Sequence, residues 1–85
     1  KIVYKDNILD INLFKKEPVF IQKNIIFYIL SYIYNNESNI IKNRHLEAII
    51  KLIYNDKPNS KLSLPKEYYA IKNYNYLTFK KGKID

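Results

Sequence analysis

Apolar residues recur every three or four positions along the first two-thirds of this chain and every second position along the last third. That change of period decides the fold class before anything else does, because helices and strands can each bury a face at only one of these spacings. Two stripes run side by side after Pro18, one through Ile21, Ile25, Tyr28, Ile29 and Tyr32, the other through Ile26, Leu30 and Ile33. Together they cover more than half the circumference of a helix of about 16 residues. Pro18 suits its first turn, where a missing N–H costs nothing. The polar run Asn35–Asn39 follows as a connector. A second helix starts near Lys42 or Asn43, the latter its expected cap, and runs to about Tyr54 with Leu46, Ile49, Ile50 and Ile53 on one face. Asn55 to Ser60 are turn formers, and Pro58 cannot continue the helix.

Beyond that turn the alternation is two-fold. Lys61–Leu64, Tyr68–Lys72 and Tyr76–Lys81 read as three strands, joined by Pro65-Lys66-Glu67 and by Asn73-Tyr74-Asn75. The pleat assigns Leu62, Leu64, Tyr69, Ile71, Leu77 and Phe79 to the face under the helices. Lys61, Ser63, Tyr68, Lys72, Tyr76, Thr78 and Lys80 then share the outward face. Ahead of the helices, Lys1–Tyr4 and Ile8–Ile11 flank a turn at Lys5-Asp6-Asn7, and Asn12 is placed to cap one helical turn over Leu13–Lys16. The expectation is α+β: two main helices packed on a small three-stranded antiparallel sheet, with a short extended N-terminal segment. Residues 1–85 form a single module, helical over about 12–56 and a β-meander over about 60–81. With no Met at position 1, it reads as a fragment of a larger protein.

Several chemistries are excluded by residues the chain lacks. It has no cysteine, a single histidine (His45) and a single glycine (Gly82). Thiol catalysis, zinc ribbons, multi-histidine metal sites and glycine-rich phosphate loops are therefore absent. The longest nearly apolar stretch, Ile25–Tyr34, is about half of the ~20 residues that span a bilayer. No basic-then-apolar signal segment opens the chain, so a soluble, cytoplasmic protein without a membrane partner is expected.

The net charge is +7. Fourteen lysines against one arginine favour point-charge contact with phosphate over bidentate recognition. The distribution says more than the total. Eight basic and six acidic residues lie in 1–56, whereas seven lysines face only Glu67 and Asp85 in 57–85.

Four segments in order resemble a known family. They are Phe20-Ile21-Gln22-Lys23-Asn24-Ile25-Ile26, His45-Leu46-Glu47-Ala48-Ile49, Ser60-Lys61-Leu62-Ser63-Leu64-Pro65 and Tyr74-Asn75-Tyr76-Leu77-Thr78-Phe79. Their order and spacing are similar to the region that follows the ATP-pyrophosphatase domain of bacterial tRNA(Ile)-lysidine synthases. That region reads as a Leu-Gln-Arg-Arg-like helix, a His-Ile-Glu helix, a Gly-Lys-x-Leu-x-Leu-Pro strand and a Tyr-Gly-x-Leu-x-Phe strand. The likeness runs from about Asp10 to Phe79. Lys23-Asn24 replaces the family's two arginines, Ser60 one glycine, Lys66-Glu67 a Gly-Gly pair, and Asn75 the glycine of the last turn, where Asn tolerates positive φ. The family's Ser-Gly-Gly-x-Asp-Ser motif is absent.

The resemblance implies a non-catalytic module of a ligase that adenylates the wobble cytidine of tRNA(Ile) with ATP and joins it to lysine. ATP and magnesium are then implied only for the catalytic domain, and the partners are that domain and tRNA. Candidate RNA contacts are Lys61, Tyr68, Lys72, Tyr76, Lys80 and Lys81, lysines interleaved with stacking rings. The candidate interdomain surface is Ile26, Tyr28, Leu30, Tyr32 and Ile33, on a helix too apolar to be covered on one side only; a second copy of the chain is another occupant. His45 is read as a packing or capping residue, since Glu47 two positions on does not face it. The rival readings are a helical protein–protein interaction module and a small free-standing RNA-binding domain.

Overall fold

The computed structural model describes residues 4–35 and 37–82; Lys1–Val3 of the expected first strand and Asn36 of the connector lie outside them. A hairpin of β1 (Tyr4–Lys5) and β2 (Ile8–Asp10) comes first, then α1 (Ile11–Lys15), α2 (Val19–Ile33) and α3 (Asn43–Tyr54). The strands β3 (Asn59–Leu64), β4 (Tyr68–Asn73) and β5 (Tyr76–Lys81) close the chain. Short 3₁₀ turns occupy Ser38–Ile40 and Pro65–Glu67. The fold is α+β, with three helices and a five-stranded antiparallel sheet in the order β1-β2-β5-β4-β3.

The sheet is larger than the three strands expected because the N-terminal segment joins it. Asp6 and Asn7 both take left-handed backbone (φ 53° and 66°), which makes the tight two-residue turn whose twist suits a hairpin. β2 then pairs with β5, Leu9 opposite Leu77 and Ile8 opposite Thr78. Leu9 is fully buried as a result. Asp10, not Asn12, caps α1: its Oδ1 accepts the Leu13 N–H at 3.0 Å. Asp10 is the last extended residue of β2 and so has the backbone a cap needs. The cap of α3 also lies earlier than expected, by one residue, at Lys42 and not Asn43.

The central strand β4 reverses the expected pleat. The β4–β5 turn contains two residues, Tyr74 and Asn75, and not the three of Asn73-Tyr74-Asn75, so Asn73 pairs with Tyr76 and Lys72 with Leu77. A slip of one residue turns every β4 side chain over. Tyr68, Ala70 and Lys72 therefore face the helices, and Tyr69 and Ile71 face outward. Fully buried Ala70 lies between Leu62 and Phe79 in one cross-strand row, a small residue between two large ones where α3 packs on β3 and β4. The left-handed residue of the β4–β5 turn is Tyr74 (φ 50°), not Asn75.

Two polar side chains are buried where the elements meet. The Gln22 amide nitrogen lies 3.0 Å from the Glu17 carbonyl, 3.3 Å from that of Phe14 and 2.9 Å from the Tyr54 hydroxyl, joining α1, α2 and α3. The Lys72 ammonium donates to the Asn55 carbonyl at the end of α3, where a helix favours a cation. At the other end of α2, Tyr34 donates to the Pro65 carbonyl at 2.7 Å and meets Tyr68 edge-on, ring centroids 5.3 Å apart. Burial, with Tyr68 adding to it, pushes the Tyr34 phenol up to about 12.

Candidate nucleic-acid interface

All three helices sit on one face of the sheet, so the other face is open. The register arranges it in rows. Lys61, Ile71, Thr78, Ile8 and Lys5 lie side by side across all five strands. Ser63, Tyr69 and Lys80 form the next row toward one end, and Asn73, Tyr76 and Asp10 a row toward the other. Lys61, Tyr76, Lys80 and Lys5 are exposed, and Tyr69 and Ile71 are half-buried. The face thus carries two lysines at opposite edges of a strip with aliphatic and aromatic surface between them. Lysine ammoniums spaced across a sheet suit a phosphodiester backbone, and tyrosine rings on the same surface can accept unpaired bases.

The expected contact residues divide. Lys61, Tyr76 and Lys80 are on the outward face as anticipated. Tyr68 and Lys72 are not; β4's reversal turns both inward, and Lys72 is only 6% exposed. Lys81 is exposed but belongs to the inner face at the end of β5, its Nζ 5.9 Å from the centre of the Tyr68 ring. Lys5, Tyr69 and Ile8 were missed. The turn at Asp6-Asn7 was visible in the sequence, but nothing local signalled that β2 would dock on β5.

The interdomain surface divides in the same way. Ile26 and Leu30 are buried in this domain's own core, which removes them from any exposed patch, and Ile33 is half-buried. Tyr28 and Tyr32 are 78% and 77% exposed, and Val19, Phe20 and Phe27 continue the apolar surface along α2. Between α2 and the hairpin runs an open groove of about 780 Å³, lined by Ile25, Tyr28, Ile29 and Tyr32 on one side and Tyr4–Asn7 on the other. The Tyr4 phenol is raised above its ordinary value, by burial first and then by Tyr32. On the far side of the hairpin tip a second cleft of about 520 Å³ opens against Lys80 and Lys81.

His45 is a cap. Its Nδ1 accepts the Lys42 N–H at 2.9 Å, closing the first turn of α3. Burial lowers its pKa, and Arg44 and Lys42 add to the effect. Glu47 instead accepts from Asn43 and stands 3.7 Å from Lys23 in an exposed ion pair, which contributes little to stability. Among the described residues no three His, Asp or Glu side chains converge on a metal-sized site. Among the described residues no helix is long and apolar enough to cross a membrane.

Over 78 residues, 92% of its length, the chain is 35% identical to the Bifunctional protein TilS/HprT of Listeria innocua. It is 33% identical over the same span to the protein of that name from Listeria monocytogenes serovar 1/2a. A third protein of that name, from Listeria monocytogenes serotype 4b, is 35% identical over 69 residues. The chain spans only 12% of the length of the first two relatives. No family model matches the chain, and no solved structure does.

Proposed function

We propose that this chain, homologous to a segment of the TilS/HprT proteins, is a non-catalytic tRNA-positioning module of a lysidine synthase-type ligase. The observation that carries the reading is the 35% identity over 92% of the chain to proteins whose name includes TilS. The ordered motifs along Asp10–Phe79 support placing the segment after the catalytic domain. In this reading the parent enzyme uses ATP to activate the wobble cytidine of tRNA(Ile) for attack by lysine, and the segment contributes no group to that chemistry. Its open sheet face, with Lys5, Lys61 and Lys80 around Tyr69 and Tyr76, holds the tRNA backbone. The exposed stripe of α2 turns toward the remainder of the parent protein.

Charge reversal of Lys5 and Lys61 in the longer protein tests this. The KM for tRNA should rise while the KM for ATP stays as it was. An unchanged KM for tRNA removes the positioning role. A second reading, a protein–protein interaction module, is favoured by one observation: the exposed aromatic run of Phe20, Phe27, Tyr28 and Tyr32 along one helix. It predicts that substitution of Phe20 and Tyr28 abolishes an association, with tRNA affinity unaltered.

A further inference from the structure

The hairpin is shorter than the strand it pairs with. β2 has three residues and β5 has six, so the tip at Asp6-Asn7 stops opposite Phe79, whose N–H donates to the Asn7 carbonyl. Lys80 and Lys81 run on beyond it. In an antiparallel ladder alternate residues direct their backbone groups to the same side. The Lys81 N–H is therefore turned the way of the Phe79 N–H, past the end of the hairpin. The space left is the cleft of about 520 Å³, closed on its third side by the C-terminal turn of α2.

Its walls combine three chemistries. Lys81 supplies an ammonium on the Tyr68 side of the sheet, and with its turned-out N–H it makes one end suited to a phosphate, while the Lys80 side chain points to the open face. Tyr68 supplies a ring held in place, packed edge-on against Tyr34, whose own hydroxyl is fixed to the Pro65 carbonyl. Tyr32, almost wholly exposed, stands at the mouth as a second ring. Asn7 and Asn35, both in left-handed backbone, bring two carboxamides to the rim. The Asn7 oxygen is engaged by the Tyr4 hydroxyl at 3.0 Å, which leaves its NH₂ as donor toward a ligand. The volume falls within the ~300–1,000 Å³ of small-ligand sites.

We propose that this cleft holds one unpaired nucleotide of an RNA strand, its phosphate on the Lys81 ammonium and N–H and its base against Tyr32 and Tyr68. The inference rests on the reading of the chain as a tRNA-positioning module and adds to it a site distinct from the row between Lys5 and Lys61. A free nucleoside monophosphate carries the same chemistry, so the strand and the free nucleotide must be compared directly.

The test is an amide NMR titration of the full 85-residue chain with a single-stranded RNA heptamer, a blunt RNA duplex and cytidine monophosphate. The strand should shift the amides of Asn7, Asn35 and Lys81 and bind roughly tenfold more tightly than the duplex or the free nucleotide. Tyr32→Ala should weaken strand binding about tenfold, and Tyr32→Trp, which keeps a stacking face, should retain it. Lys81→Gln should reduce the salt dependence by about one phosphate contact. Strand binding that is unchanged in Tyr32→Ala and Lys81→Gln, with shifts confined to Lys5, Lys61 and Tyr76, overturns the cleft and leaves the tRNA reading intact. Free nucleotide binding as tightly as the strand overturns the strand as its ligand. No binding of strand or duplex overturns the cleft and the tRNA reading together.

Discussion

Lys72 and Asn55 meet where β4 passes beneath the end of α3, the Lys72 ammonium donating to the Asn55 carbonyl with the lysine stem buried in the sheet's inner face. The pair joins the last turn of a helix to a central strand. Lys72→Met keeps the stem and deletes the donor, so the carbonyl loses its partner; a loss of about 1–3 kcal/mol is expected. Lys72→Glu places a buried anion against the negative end of α3 and should prevent stable folding. Urea unfolding of both variants checks this. Folded Lys72→Met should keep wild-type RNA affinity, because Lys72 does not reach the open face.

Gln22 ties three helices, and its Tyr54 contact can be isolated. Tyr54→Phe should cost about 0.5–1.5 kcal/mol, and Gln22→Leu about 1–3 kcal/mol because the Phe14 and Glu17 carbonyls lose their donor as well. The double variant should lose less than the sum, since the shared bond is counted once. Strictly additive unfolding free energies would show that the Gln22–Tyr54 bond contributes nothing.

His45 makes α3 sensitive to acid. Its folded pKa lies below the ordinary 6.5, so the neutral ring is the form that folding favours. The stability it contributes is complete above about pH 6.5 and is lost as pH falls through its lowered value. Protonation also removes the lone pair that accepts the Lys42 N–H. Amide exchange at His45 and Leu46 should accelerate as pH falls below about 6.5. His45→Ala should abolish that pH step while exchange stays fast throughout.

Lys66 holds left-handed backbone, φ 61°, within the β3–β4 turn. A side chain there is strained, and the resembling family has glycine at this point. Lys66→Gly relieves the strain and adds some unfolded-state freedom, a net gain of about 0.5–1 kcal/mol. The melting temperature should rise by a few degrees. A lower one would show that the Lys66 side chain stabilises the turn by more than the strain it carries.

The sequence carried the helices plainly, because Ile26, Leu30, Ile49 and Ile53 repeat at a spacing only a helix can bury. Strand existence was equally legible. Strand parity was not: Tyr68-Tyr69-Ala70-Ile71-Lys72 alternates acceptably on either face, and the choice was made by a turn of two residues and by the fit of Ala70 under α3. That single undetermined step moved Lys72 and Tyr68 off the open face and brought Tyr69 onto it. The N-terminal strands were underestimated for a related reason. Tyr4-Lys5 and Ile8–Asp10 are too short to declare themselves, and the strand that ties their hairpin into the sheet, β5, lies almost 70 residues away from Ile8–Asp10. His45 was readable from its place at a helix start, whereas burial of Gln22 had no local signal.

The open face of the sheet as a phosphate-binding surface is the central claim, and salt-dependent binding of tRNA tests it most directly. Affinity should be measured across a range of salt concentrations for the unaltered sequence and for Lys5→Glu with Lys61→Glu, in the longer protein that carries this segment. Each lysine lost should remove about one phosphate contact, so the slope of log affinity against log salt should flatten by roughly two. Affinity at low salt should fall across all tRNA sequences alike, and ATP binding should not change. The same slope and affinity in the double variant would contradict the account, leaving the lysines of this face as solvated charge with no part in holding RNA.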